Sequence, residues 1–106
     1  MLDHATEAMQ MARDRAREDL DTDRRLNLSL VRLLEVVGEA ATRVSEATRR
    51  AHPQIAWAEI AGLRNRLVHG YDDVDFDILW DIIQLDLPPL VATLTAILRQ
   101  RESEQN

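Results

Sequence analysis

Apolar positions recur at helical spacing along most of the 106-residue chain, and no segment alternates convincingly with the two-residue period of a strand. The spacing predicts helices over about residues 2–17, 23–50 and 57–69. Asp23 is the expected N-cap of the second of these helices, and Asp75 is the expected N-cap of a fourth. Pro88 is expected to open a last helix. The sequence therefore predicts one all-α domain over residues 1–106, an up-and-down bundle of four or five helices.

The long second helix is apolar on two faces. Leu26, Leu30 and Val37 lie in one apolar arc, whereas Leu28 and Val31 fall on the far side, where a monomer favours polar residues. Such a helix is either central in the bundle or packed against a second subunit. Since most homo-oligomers are two-fold dimers, the second possibility predicts a homodimer.

Composition narrows the range of functions. The chain has no cysteine, so disulfides, thiolate metal sites and cysteine nucleophiles are excluded. Thirteen basic and 19 acidic residues leave a net charge of −6, which argues against a generic nucleic-acid coat. No apolar stretch is expected to approach the ~18 residues of a membrane span, and no signal-peptide pattern is expected at the N-terminus. We therefore expect a cytoplasmic protein without a membrane partner.

Reactive side chains concentrate in one segment, residues 64–71 (RNRLVHGY). On a continuous helix Asn65 and His69 share a face, but Arg64 and His69 are about 140° apart around the axis. One undistorted helix would not aim both at one atom. Either the helix frays before Gly70, or Arg64 of one subunit meets His69 of another.

The residue types in this segment suit phosphoryl transfer. Histidine acts as acid or base near neutral pH, and arginine stabilises charge on a pentacovalent phosphorus without a metal. These two groups are the minimum needed for an RNA 2′-hydroxyl to attack its own phosphate. Asn65 would orient the histidine or hold a phosphate oxygen, and Tyr71 offers a hydroxyl nearby. Taken by themselves, a histidine and an arginine at a helix end are more often an ordinary helix cap.

The spacing of Arg64, His69 and Tyr71 resembles the signature of the HepT-type ribonuclease toxins of the HEPN superfamily. The resemblance extends to several other blocks, although Ala56 stands where a second proline is common. These blocks are residues 33–41 (LLEVVGEAA), 52–57 (HPQIAW), 62–75 (GLRNRLVHGYDDVD), Trp80 and residues 86–90 (DLPPL).

The resemblance implies a homodimeric, metal-independent endoribonuclease toxin without a cofactor. It also implies a minimal nucleotidyltransferase antitoxin as partner. In the family, arginine and histidine from both protomers line one cleft. Carried over, Arg64 stabilises the transition state, His69 acts as general acid or base, and Asn65 supports them. The antitoxin would silence the toxin by transferring nucleotides to Tyr71. The alternative is a non-catalytic helical partner that presents substrate to a nucleotidyltransferase.

Two further groups of residues are candidates for supporting roles. Arg49, Arg50, His52 and Arg66 would form a basic rim that guides RNA; the alternative is dipole capping and solvated surface. Glu39 would hydrogen-bond near the motif helix, because Gly38 permits a close approach; the alternative is a structural or solvent-exposed role. The acidic residues between 72 and 81 lack the glycine alternation and terminal glutamate of a calcium loop, so no metal site is expected there.

Overall fold

The computed structural model describes residues 1–68 and 73–105, and this part of the chain is helical nearly throughout. The helices are α1 (Leu2–Ala12), α2 (Asp19–Thr22), α3 (Arg24–Thr42), α4 (Glu46–Ala51), α5 (Trp57–Ala61), α6 (Leu63–Leu67), α7 (Phe76–Asp81) and α8 (Leu87–Gln105). A π-helical turn, Ile82–Asp86, joins α7 to α8. The all-α prediction is confirmed, but the described helices are shorter and more numerous than the predicted four or five.

Helix α3 is the central element, packed against α1 on one side and against α5 and α6 on another. Its apolar arc is buried, as the spacing predicted. The Asp23 carboxylate caps the helix by accepting a 3.0 Å hydrogen bond from the Leu26 N–H. Arg15 donates a second bond, of 2.6 Å, to the same carboxylate. The two bonds lower the pKa of Asp23, the Leu26 N–H more strongly than Arg15.

The core surrounds this buried face of α3 and takes residues from almost every helix. The largest fully buried side chains are Leu20, Leu30, Leu34, Val37, Leu67, Leu79, Ile82 and Leu87. One polar residue, Asn27, lies among them, and its side-chain amide donates a 2.8 Å hydrogen bond to the Leu20 carbonyl. This bond satisfies the amide N–H and ties α2 to α3.

Three predicted helices end earlier than expected, each for a local reason. The first ends at Ala12, and Asp14 follows in the left-handed region, with φ of 63°. The second ends at Thr42 rather than near Arg50, because the Ser45 side chain accepts from the Thr48 N–H and caps a new helix. The third is divided at Gly62 and ends at Leu67.

The C-terminal helix is continuous where two helices were predicted. Pro88 does lie in the first turn of α8, but the π-helical turn carries the helix across the junction, with the Leu87 N–H bonded to the Ile82 carbonyl. The resulting helix, Phe76–Glu104, is long and apolar enough to meet a length-and-composition test for crossing a membrane. The expectation that no stretch approaches that length was therefore wrong. Its buried residues, Leu79, Ile82, Ile83, Leu87 and Leu90, belong to the core, and a core helix passes the same test.

Candidate functional site

Helix α6 presents the first part of the reactive segment to solvent. Leu63 and Leu67 are four residues apart, so both anchor in the core, at 3% and 0% exposure. The three residues between them, Arg64, Asn65 and Arg66, are exposed as a consequence. The burial of one leucine pair thus decides which polar groups this short helix displays.

The chain leaves helical geometry before it reaches His69. Val68 has extended backbone angles, φ −102° and ψ 116°, so the prediction that this helix continues to His69 was wrong. Val68 forms an antiparallel bridge with Val74, and the Asp75 N–H donates a 2.9 Å hydrogen bond to the Leu67 carbonyl. These contacts fix the two ends between which residues 69–72 lie.

Two of the predicted site residues, His69 and Tyr71, lie outside the described residues. The predicted convergence of His69 with Arg64, and the modification of Tyr71, therefore stay predictions. The helix end at Leu67 agrees with one of the two alternatives that the spacing left open, a helix that stops before Gly70.

Gly38 brings α3 close to the junction of α5 and α6. A Cβ atom at this position would lie 3.0 Å from the Ile60 carbonyl oxygen and 3.6 Å from the Leu63 Cβ. A side chain at residue 38 would therefore require the Ile60 carbonyl to shift by a few tenths of an ångström. The expected close approach is confirmed, and it places the polar face of α3 beside Arg64.

A cavity of about 280 Å³ lies between α3 and α6. It is lined by Arg32, Glu35, Gly38, Glu39, Thr42, Ala61 and Arg64. Asn65 does not line it, although it was predicted to act with Arg64. The α3 residues recur at intervals of three to four positions, so they share one helix face. This cavity is where the fold brings Arg64 together with other charged groups.

The charged groups of this cavity are unequally paired. Glu39 accepts a 2.9 Å hydrogen bond from Arg43, one turn away, and not from the motif helix as proposed. Arg32 and Glu35 form an ion pair at 3.6 Å. Arg64 forms no side-chain hydrogen bond or ion pair with residues 1–68 or 73–105. An exposed guanidinium without a carboxylate partner is suited to bind an anion.

Each of the three arginines predicted to form a basic rim contacts another part of the protein, and their binding of RNA stays a prediction. Arg49 donates to the carbonyls of Val44 and Thr42, each at 3.0 Å. These contacts match the capping alternative, because they satisfy carbonyls at the end of α3. Arg50 pairs with Glu46 at 2.5 Å.

Arg66 faces away from the cavity that Arg64 lines. Its guanidinium lies 3.2 Å from the Asp86 carboxylate, beside a second cavity of about 210 Å³. That cavity is lined largely by apolar residues, among them Ile55, Ile60 and Leu85. Arg64 and Arg66, both on α6, therefore line two different cavities.

Sequence reasoning did not identify Arg32 or Thr42 as site residues. A signal was available: positions 32, 35, 39 and 42 fall on one face of a helix, and Gly38 marks the point of close approach to the reactive segment. The spacing of residues within α3 does not predict which other helix packs against this face. That information comes from the packing of α3 on α5 and α6.

The fold and the site define a class of protein, a small helical domain with a polar cavity between two helices that is lined by arginine and glutamate. Comparison with known proteins identifies the family. A family model described as "Ribonuclease HepT-like" matches residues 1–97. The chain belongs to this HepT-like ribonuclease family, as the sequence motifs indicated.

Individual relatives give the same result. A protein of Thermococcus cleftensis named "Probable ribonuclease HepT" is 33% identical over 93 residues, which cover 84% of each chain. A relative from Caldanaerobacter subterraneus, provisionally named an RNase, is 35% identical over 85 residues and covers 80% of this chain and 76% of its own. No solved structure matches the chain significantly.

Proposed function

We propose that the chain is a metal-independent endoribonuclease in which Arg64 and His69 act on one phosphodiester. The observation that carries the proposal is the placement of Arg64. It lines a cavity, and its guanidinium has no carboxylate partner in the part of the chain that the structure describes. Membership of a family whose relatives bear ribonuclease names supports RNA as the substrate.

The proposed reaction is an intramolecular transesterification. The RNA 2′-oxygen attacks the adjacent phosphorus, and the bond from phosphorus to the 5′-oxygen of the next nucleotide breaks. His69 would take the 2′-hydroxyl proton or donate a proton to the leaving oxygen. The Arg64 guanidinium would stabilise the charge on the pentacovalent phosphorus, and Asn65 would support the two. The products are a 2′,3′-cyclic phosphate and a 5′-hydroxyl.

The direct test is incubation of the purified protein with RNA in the presence and absence of EDTA. We expect cleavage at the same rate in both, because no step uses a metal, and we expect 2′,3′-cyclic phosphate ends. Intact RNA after incubation would contradict the proposal and favour the alternative function, a non-catalytic partner that presents substrate to a nucleotidyltransferase. Cleavage that stops with EDTA would contradict metal independence.

A homodimer that completes the cleft is part of this proposal. Leu28 is 52% exposed on α3, away from the buried arc of that helix. It lies one turn before Arg32 and two turns before Glu35, on the helix face that lines the Arg64 cavity. A second subunit that covers Leu28 would also border this cavity. Its own reactive residues would then approach the same groove.

Replacing Leu28 with aspartate is expected to dissociate the dimer, since it places a charge in an apolar contact. Sedimentation velocity should show a dimer for the wild type and a monomer for Leu28→Asp. Leu98→Asp is the matched control, because Leu98 is similarly exposed, at 42%, but lies on α8. A monomeric wild type, or a dimer that survives Leu28→Asp, would rule out this interface.

We further propose a nucleotidyltransferase antitoxin that modifies Tyr71, on the strength of the resemblance. Added nucleotide phosphates beside the cleft would exclude RNA by volume and by charge. Intact mass after co-expression with the cognate transferase should rise by whole nucleotide units. Tyr71→Phe should abolish the increase, and an adduct that persists in this variant would place the modification elsewhere.

A further inference from the structure

We propose that Arg32 binds a second phosphate of the RNA, next to the phosphate on which Arg64 acts. This inference rests on the proposed function and extends it. It assigns the α3 side of the cavity to substrate binding, with a polynucleotide rather than a single phosphate as the ligand. Three observations support it: where Arg32 lies, how weakly it is ion-paired, and which charged residues line the same cavity.

Arg32 and Arg64 reach one cavity from two different helices. Arg32 lies on the polar face of α3, and Arg64 lies on the exposed side of α6. The close approach at Gly38, where a Cβ would lie 3.0 Å from the Ile60 carbonyl oxygen, holds these helices together. The contact between the two helices thus keeps both arginines at one cavity, where each can meet a phosphate of the same strand.

The partner that Arg32 has in this structure is easily exchanged. Its contact with Glu35, at 3.6 Å, is the longest of the described ion pairs and includes no hydrogen bond. The Arg32 side chain is 71% exposed, so solvent screens the pair. A phosphate would offer the guanidinium two shorter, charge-assisted bonds in its place. Glu35 thus occupies a position from which RNA would displace it.

Hydrogen bonding also distinguishes Arg32 from arginines that are bonded to carboxylates of this chain. Arg17 and Arg43, for example, donate hydrogen bonds of 2.7 and 2.9 Å to Asp77 and Glu39. Arg32 and Arg64 donate none to any described residue. Glu35 and Glu39 also line the cavity, so its charged residues balance. What favours an anion there is that Arg64 has no ion-pair partner among the described residues and that Arg32 has only a long one.

The test compares Arg32→Gln with Arg99→Gln, which removes the same charge from an exposed position on α8 outside both cavities. Binding is measured by fluorescence anisotropy with an RNA oligonucleotide whose 2′-hydroxyls are methylated, so that the 2′-oxygen cannot attack and cleavage does not interfere. Arg32→Gln is expected to weaken binding about tenfold and to reduce the slope of log affinity against log salt by ~0.7. Arg99→Gln is expected to bind within about twofold of the wild type.

Kinetics on cleavable RNA provide a second measurement. A contact to a neighbouring phosphate is present in the ground state and the transition state alike, so Arg32→Gln should raise KM and leave kcat within about twofold. Glu35→Gln removes the competing carboxylate and is expected to tighten binding about twofold to fivefold. Circular dichroism of each variant checks that the fold is retained.

The outcomes separate this proposal from the nuclease proposal. If the wild type cleaves RNA but Arg32→Gln binds with unchanged affinity and salt slope, the second phosphate site is refuted and the nuclease stands. If the wild type binds RNA without cleaving it and Arg32→Gln weakens that binding, the site stands and the nuclease is refuted. A fall in kcat with KM unchanged, or weaker binding by Glu35→Gln, would overturn the assignments made here.

Discussion

Arg64→Ala is expected to lower the rate constant of RNA cleavage by about 10²–10³-fold, the range typical for removal of one group that stabilises transition-state charge. The effect is expected mainly in kcat, because in the proposed mechanism the charge that Arg64 meets develops as the phosphorus becomes pentacovalent. Single-turnover cleavage of a labelled RNA, followed on a denaturing gel, measures it. His69→Ala is expected to be impaired to a similar extent, since it removes the acid–base group of the same step.

Two features make the Arg64 variant informative. Arg64 is exposed and has no hydrogen-bond partner among the described residues, so its loss should leave the thermal midpoint nearly unchanged. Arg64→Lys keeps the charge but lacks the planar fork, and we expect only partial recovery. Arg99→Ala is the control at a site away from the cavity. Cleavage by Arg64→Ala at the wild-type rate would remove Arg64 from the mechanism.

Gly38→Val is expected to destabilise the protein by about 2–3 kcal/mol, in the range seen when extra carbons are forced into a packed contact. The first added carbon would already lie 3.0 Å from the Ile60 carbonyl oxygen, which belongs to the backbone and has little freedom to move. Each kcal/mol corresponds to roughly 4–8 °C for a domain of this size. Thermal unfolding followed by circular dichroism should therefore show a midpoint lower by about 10–20 °C.

The control for this variant is Ala92→Val, which introduces the same branched side chain at an exposed position in α8. It should cost well under 1 kcal/mol, as helix propensity alone predicts. Gly38→Ala should fall between the two, because it adds only the first carbon and removes a flexible glycine from a helix. If Gly38→Val were as stable as the wild type, the close approach of α3 to α5 would be incorrect.

Helical periodicity was enough to predict the fold class and the buried face of α3. Residue type was enough to predict two helix starts, because Asp23 and Asp75 each cap a helix through a side-chain oxygen. Both predictions depend on contacts between residues close in the chain, and such contacts can be read from residue type and spacing. The family was likewise identified from motifs alone.

Helix ends and charge pairing were predicted less well. The second helix was extended to Arg50, because the spacing does not reveal that the Ser45 hydroxyl caps a new helix. The spacing also did not predict that Arg66 pairs with Asp86, 20 residues away in the chain; its grouping with the RNA-binding arginines stays a prediction. A long arginine side chain reaches several neighbours, and the one it meets depends on which helices pack together.

The sequence by itself determined that this chain forms helices and where α3 and α7 begin. It did so because capping and amphipathic spacing act within a few turns of one helix. Only the tertiary structure decided that Arg32 and Arg64 line the same cavity while Arg66 lines another. The physical reason is that the contact of α3 with the junction of α5 and α6, made through Gly38, joins segments more than 20 residues apart.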